Sequence, residues 1–167
     1  MADYSDEVVR QWHAQRPDLD ASPMGTFTRL WRTARVAEDE IQRVLAGHDL
    51  EPGWFDVLAT LRRAGAPHRL SAGTLARGLV MTTGGMTKRL DRLESAGLVE
   101  RSADPADRRG VLVTLTPEGL AAVDRAVEDH VRNEAELLKA LSERERRALD
   151  SALAKLLRAW RPEAPGR

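Results

Sequence analysis

Apolar residues recur along this chain mostly at helical spacing, with one short interval of alternation close to residue 113. Ser5 is placed to cap a first short helix in which Val8, Val9 and Trp12 share a face, and Pro17 ends it. From Pro23 to about Ala46, the residues Phe27, Leu30, Trp31, Ala34, Ile41, Val44 and Leu45 repeat with the period of a second helix. Gly47 and Pro52 punctuate, and GWFDVLATLRRAG then predicts a buried helix closed by Gly65. Ser71 opens a helix through Leu75 and Leu79. Thr82 opens the next, with Met86, Leu90 and Leu93 on one face and Gly97 as its stop. Leu98 to Arg101 and Val111 to Leu115 alternate as two strands, and Asp107, Arg108 and Arg109 fall at the tip of the polar loop between them. Thr116 and Pro117 begin a long helix with proline at its first position. Ser142 and Glu145 form a capping box for a last helix that carries Leu149, Leu153, Leu156, Leu157 and Trp160.

Helices followed at once by a two-stranded hairpin make a winged helix-turn-helix, so the expected fold is mainly α with a small β-hairpin wing. In that arrangement the second helix of the pair enters the major groove of DNA while the wing reaches flanking backbone or minor groove. At about 100° per residue, Met86, Leu90 and Leu93 point inward, and Lys88, Asp91, Arg92 and Ser95 point outward. Gly84 and Gly85 cost helix stability but let the backbone approach a duplex closely. Thr82, Thr83 and Thr87 add hydroxyls at a helix start whose free N–H groups suit phosphate.

Charge sharpens this picture. The chain carries 26 basic and 26 acidic residues and no net charge. Residues 1–59 hold 6 Arg against 11 acids, whereas residues 60–117 hold 10 Lys and Arg against 5 acids. Positive charge is therefore concentrated where the wing and its helix lie, as a polyanion-binding surface requires. A solvated surface with uneven counts would look the same by charge alone.

Other classes lose ground. Cysteine is absent, which removes disulfides, thiolate metal sites and thiol nucleophiles. His13, His48, His68 and His130 have no metal-ligand spacing, and neither a Ser/His/Asp pattern nor a nucleotide-binding glycine loop is present. No enzyme activity, cofactor or metal is expected. The acidic start MADYSDEVVR has no apolar segment and no run approaches a membrane span, so a cytoplasmic protein is expected.

The wing DRRGVLVTLTPEG resembles the signature of the MarR transcriptional regulators, matched here by Asp107, Arg109, Val113, Leu115, Thr116 and Gly119. The preceding TTGGMTKRLDRLESAGLVER is similar to that family's recognition helix and first wing strand. The resemblance implies a triangular homodimer on a palindromic operator. A single MarR-type domain would span 1–167, with dimerisation helices at about 5–60 and 117–160 and the winged helix at about 61–116. DNA contacts would fall on Thr82, Thr83, Gly84, Gly85, Thr87, Lys88, Arg92, Asp107, Arg108 and Arg109. Arg109 would reach a narrow minor groove, with Asp107 holding an arginine fork from behind, or the two would tie the hairpin together.

Trp12, in an extra amino-terminal helix, together with Asp56, Arg89 and Arg101, is similar to the four positions that mark the urate-responsive, HucR/PecS-like branch of the family. An indole face, two guanidinium groups and a carboxylate suit a flat anion with N–H donors. The resemblance thus implies release of DNA by a small anionic effector such as urate or a polycarboxylate. Each residue also has an ordinary role open to it: Trp12 in dimer packing, Asp56 in an ion pair, Arg89 and Arg101 on phosphate. A MarR-type regulator answering to a phenolic or other aromatic compound, and a structural DNA-binding protein with no ligand, are the alternatives. A repressor prefers a palindrome, whereas the structural protein binds many sequences alike.

Overall fold

The computed structural model describes residues 3–160, with Arg108 and Arg109 described by backbone alone. The elements run α1 (Tyr4–Gln15), α2 (Ser22–Ala46), α3 (Trp54–Arg63), β1 (Arg69–Ser71), α4 (Ala72–Gly78), α5 (Thr83–Ser95), β2 (Val99–Asp104), β3 (Asp107–Leu115), α6 (Pro117–Leu137) and α7 (Glu143–Trp160). A 3-10 turn at Leu138–Ala140 follows α6. The chain divides into two compact units between His130 and Val131.

The first unit holds one apolar core. Val57, Leu58 and Leu61 of α3, Leu75 of α4, and Met86, Leu90 and Leu93 of α5 close on Val99 and Val113 of the sheet and Val123 of α6. The inward face expected for α5 is the one observed. Caps expected at Ser71 and Thr82 are present, each accepting a backbone N–H three residues on, from Thr74 and Gly85. The cap of α1 differs from expectation. Asp3, not Ser5, accepts the N–H groups of Ser5 and Asp6 at 2.8 and 3.0 Å, and Asp6 returns the bond to Asp3 N. A carboxylate outcompetes a hydroxyl here because Arg29 of α2 forks onto Asp3 and also pairs with Asp6. Ser5 itself is buried.

The sheet has three strands in the order β1-β3-β2, all antiparallel, where two were expected. Three residues, Arg69 to Ser71, become a strand only because β3 offers them Thr114, Val113 and Leu112 as partners. The hairpin is also longer and tighter than the alternation suggests. Its turn is Pro105 and Ala106, with Asp104 facing Asp107, so Asp107 begins β3 and does not sit at the tip. Asp104 fixes that turn by accepting the Ala106 N–H at 2.9 Å.

Where the wing returns to helix, α6 lies directly on the chain entering β2. A Cβ at Gly119 would overlap the Leu98 carbonyl oxygen and stand 2.8 Å from its carbon, so no side chain fits. Thr116 completes the contact: its hydroxyl donates to Gly97 O at 2.7 Å and accepts the Gly119 N–H at 3.0 Å.

The second unit contains the end of α6, the 3-10 turn and α7. The Ser142–Glu145 capping box forms as expected, with Glu145 accepting the Ser142 N–H at 2.8 Å. No residue of α7 is buried, and Leu149, Leu156, Leu157 and Trp160 leave an apolar face uncovered. Among the described residues no helix is long and apolar enough to cross a membrane.

Gly119→Ala is expected to destabilise the protein by about 1–3 kcal/mol, the usual cost of overpacking a site that cannot relax. Urea unfolding followed by circular dichroism measures it, and Thr116→Val should lower stability in the same assay by removing both hydroxyl bonds.

Candidate functional site

Recognition-helix geometry comes from three local features. Thr82 stops the chain in extended backbone and caps α5 through Gly85 N at 3.2 Å. The buried Met86, Leu90 and Leu93 fix the helix's rotation, which turns Thr83, Gly84, Thr87, Lys88, Asp91 and Arg92 outward to solvent. A Cβ on Gly84 would meet nothing within 4 Å, so the fold itself does not require glycine there. Thr87 gives its hydroxyl proton to the Thr83 carbonyl at 3.0 Å, which leaves its oxygen lone pairs outward. Thr82 is engaged as the cap.

Asp107 takes part in the turn region at the start of β3, and Gly110 packs against it, its would-be Cβ lying 3.1 Å from the Asp107 Cβ. The side chains of Arg108 and Arg109, assigned above to DNA, lie outside the described residues.

The four effector candidates fall on four elements: Trp12 on α1, Asp56 in the first turn of α3, Arg89 on α5 and Arg101 on β2. No hydrogen bond or ion pair among the described residues joins any two of them. Trp12 is 42% exposed and Asp56 is exposed. Arg89 is half-buried and runs inward, donating Nη1 to Met81 Sδ at 3.2 Å. Its guanidinium lies flush on Gly53, the left-handed residue (φ 77°) that starts α3, and any Cβ there would overlap it. Glycine is needed at 53 both for that φ and for this contact. Arg89 also lines a cleft of about 460 Å³ between the α2–α3 loop and α5, together with Pro52, Trp54, Lys88, Asp91 and Arg92. Trp54, not Trp12, supplies the indole beside it. Glu51, on the same loop, accepts a hydrogen bond from Arg92 Nη1 at 2.7 Å.

Arg101 is already held by carboxylates. Its Nε and Nη2 donate to Glu94 Oε2 at 2.9 and 2.5 Å, its backbone N–H donates to Glu94 Oε1 at 3.1 Å, and Nη1 pairs with Asp91 at 2.7 Å. Recognition helix and wing strand are thereby clasped at two points. Glu94, Glu51, Pro52 and Trp54 carry no local sequence signal of these roles, because each acts on a residue brought close only by the fold. Among the described residues no group of three or more His, Asp or Glu side chains is placed to hold a metal.

The Arg101 hydrogen bond holds the Glu94 carboxyl below its usual value of 4.5. Because the folded value is the lower one, the clasp is fully present above 4.5 and is lost as pH falls through the folded value. A carbon-detected NMR titration should place the Glu94 midpoint below 4.5, and Arg101→Ala should move it up. The stability advantage of the parent over Glu94→Gln should shrink over the same acid range.

A family model described as "MarR family" matches residues 48–110, which span the α2–α3 loop through the start of β3. Over 150 residues the chain is 39% identical to the HTH-type transcriptional regulator PecS of Dickeya dadantii, covering 90% of each chain. A mutant MarR from E. coli complexed with operator DNA is similar in structure at a TM-score of 0.71 and 28% identity, over 93% of this chain and 99% of that one. A structure of Bordetella bronchiseptica BpsR, described with a mechanism for regulation of its DNA binding by 6-hydroxynicotinic acid, matches at 0.70 and 29% identity, over 78% of this chain and 97% of that one. These relatives are DNA-binding transcriptional regulators and not enzymes. The chain belongs to their family, the MarR family of winged-helix regulators, and is similar to its PecS-like branch.

Proposed function

We propose that the protein is a repressor that binds a palindromic operator as a homodimer and is released from it by a small organic anion. The observation that carries this reading is that one wall of the cationic cleft at Arg89 is the recognition helix itself. An anion seated beside Lys88, Arg89 and Arg92 meets the same helix that faces DNA, so the two ligands are coupled whether by exclusion or by displacement. BpsR, regulated by 6-hydroxynicotinic acid, is a relative whose effector is a flat aromatic acid of this chemical kind. Urate and small polycarboxylates share its negative charge.

On the DNA side, Lys88 and Arg92 read the major groove, and Thr82, Thr83, Gly84, Gly85 and Thr87 meet the backbone at the helix start. Asp107, Arg108 and Arg109 serve the wing. Dimerisation rests on the apolar faces left uncovered on α2 and α7, where Trp31 and Leu157 are 68% and 62% exposed in the single chain. Single exposed apolar residues are ordinary, but several on one helix, as Phe27 and Trp31 on α2 and Leu149, Leu156, Leu157 and Trp160 on α7, make the kind of patch that marks an interaction surface. Two reading helices related by a two-fold axis then meet half-sites about one helical turn apart.

The sharpest test uses Gly84. Since nothing in the fold excludes a methyl group there, Gly84→Ala should stabilise the protein by up to about 1 kcal/mol. If DNA packs against that bare backbone, the same change should weaken operator binding by roughly tenfold, the cost of one methyl in a tight contact. A stabilised variant with unchanged operator affinity would remove the backbone at Gly84 from the interface.

Release is tested by titrating urate, then citrate, then 6-hydroxynicotinate into the operator complex. A coupling of about 1–3 kcal/mol lowers operator affinity roughly 5- to 150-fold. Asp56→Asn and Trp12→Phe should keep DNA affinity and blunt the response. If both respond as the parent does, the effector seat lies in the Trp54 cleft alone.

A further inference from the structure

The loop between α2 and α3 touches the recognition helix at two arginines one turn apart. Gly53 seats Arg89 flush against backbone, and Glu51 accepts from Arg92 Nη1 at 2.7 Å. The loop is itself anchored. Leu50 is buried in the core, and His48 Nε2 lies 3.0 Å from Asp129 Oδ2 on α6. Glu51 therefore stands on a fixed platform, while Arg92 is an exposed side chain at 70% accessibility with four carbon–carbon and carbon–nitrogen bonds to order.

The contact is made end-on. Only Nη1 is engaged, and among the described residues the Nε–Nη2 edge of Arg92 meets no protein acceptor. That edge has the two parallel donors that fit O6 and N7 of guanine in the major groove. A second carboxylate oxygen on Arg92 would have blocked it; a single bond from the far side steadies the fork and leaves it open.

We infer that Glu51 is a positioning residue for base readout: it holds the Arg92 guanidinium with its bidentate edge presented to DNA. The inference rests on the proposed reading that Arg92 contacts a base. Its energetic origin is order. A long flexible side chain immobilised on binding costs part of the affinity it creates, and a partner that orders it beforehand removes that cost. The gain appears where the fork must be aligned, at the base pair that Arg92 reads. At phosphate it is small, since a point charge suffices there.

The experiment measures the full-length protein on a palindromic duplex selected by it from a randomised pool, and on every single-base variant of that duplex. Arg92→Ala should flatten discrimination at one base pair of each half-site by roughly 5- to 150-fold. Glu51→Ala should lose roughly two- to tenfold at that same pair and nothing at the others. Glu51→Gln, whose amide oxygen still accepts, should retain most of it, and Glu51→Ala added to Arg92→Ala should change nothing further. Losing a negative charge shifts affinity for all duplexes together and cancels in these ratios. Discrimination unchanged by Glu51→Ala where Arg92→Ala flattens it overturns the inference. If Arg92→Ala leaves every base preference intact, the base contact itself falls and takes the inference with it, a result distinct from the first.

Discussion

The wing joins α6 at the place where Gly119 meets the Leu98 carbonyl, and the placement of both depends on it. With no Cβ in the way, the start of α6 lies against the backbone entering β2, and Thr116 ties the junction with bonds to Gly97 O and Gly119 N. The Thr116 N–H also reaches Leu98 O at 3.2 Å. The two residues leading into β2, Thr116 just after β3 and the first turn of α6 are thus one knot. The angle of the wing against the recognition helix is set there, a few residues from Arg101 and its clasp on Glu94 and Asp91. Close backbone-level contacts of this kind have few alternative packings, which makes the junction stiff.

The neutral total charge is reconciled with a basic reading surface by where the acids are engaged. Asp91 and Glu94 belong to α5 but turn to Arg101 on β2, and Glu51 takes one donor of Arg92 from the loop side. The unengaged positive charge that the helix then presents outward is Lys88 and the remaining edge of Arg92. The acidic amino-terminal third is occupied in its own way, with Asp3 and Asp6 on Arg29 fixing α1 to α2. Sign separation at this scale concentrates potential on one face without requiring net charge.

What was legible in the sequence is what is local. Ser71, Thr82 and Ser142 cap helices as read because a hydroxyl three residues before a free N–H needs no tertiary help. Ser5 fails by the same logic: two nearby carboxylates and a distant Arg29 decide that cap, and only Asp3 can satisfy all of them. The buried face of α5 follows from period alone. β1 was invisible because Arg69 to Ser71 have no pattern of their own and exist as a strand through pairing with residues more than forty positions away. The wing tip moved for a related reason, since alternation marks Val111 to Leu115 but the turn chemistry sits at Asp104 and Pro105. Of the effector candidates, Arg89 lands in a cleft. Its neighbours there, Pro52 and Trp54, read from sequence only as punctuation and core, because a cleft is made by residues with no relation along the chain.

The clasp on Arg101 bears on how the proposed effector would act. A guanidinium whose Nε, Nη1 and Nη2 each already face one of two carboxylates keeps two of its five N–H donors, and its charge is already matched. An effector that takes Arg101 away from Glu94 or Asp91 would loosen recognition helix from wing strand, and the free energy of that loosening would come out of its own binding. An effector reaching only Arg89 and Lys88 disturbs no such clasp and meets DNA by occupying the same helix. The first route separates the two reading elements and gives a coupling limited by the strength of the clasp. The second is plain exclusion, with a coupling limited only by how incompatible the two occupants are. In both, linkage requires DNA to weaken the effector by the factor the effector weakens DNA. The routes differ in one physical respect: only the first makes the strength of the Glu94–Arg101 pair, and hence acid pH, part of the switch.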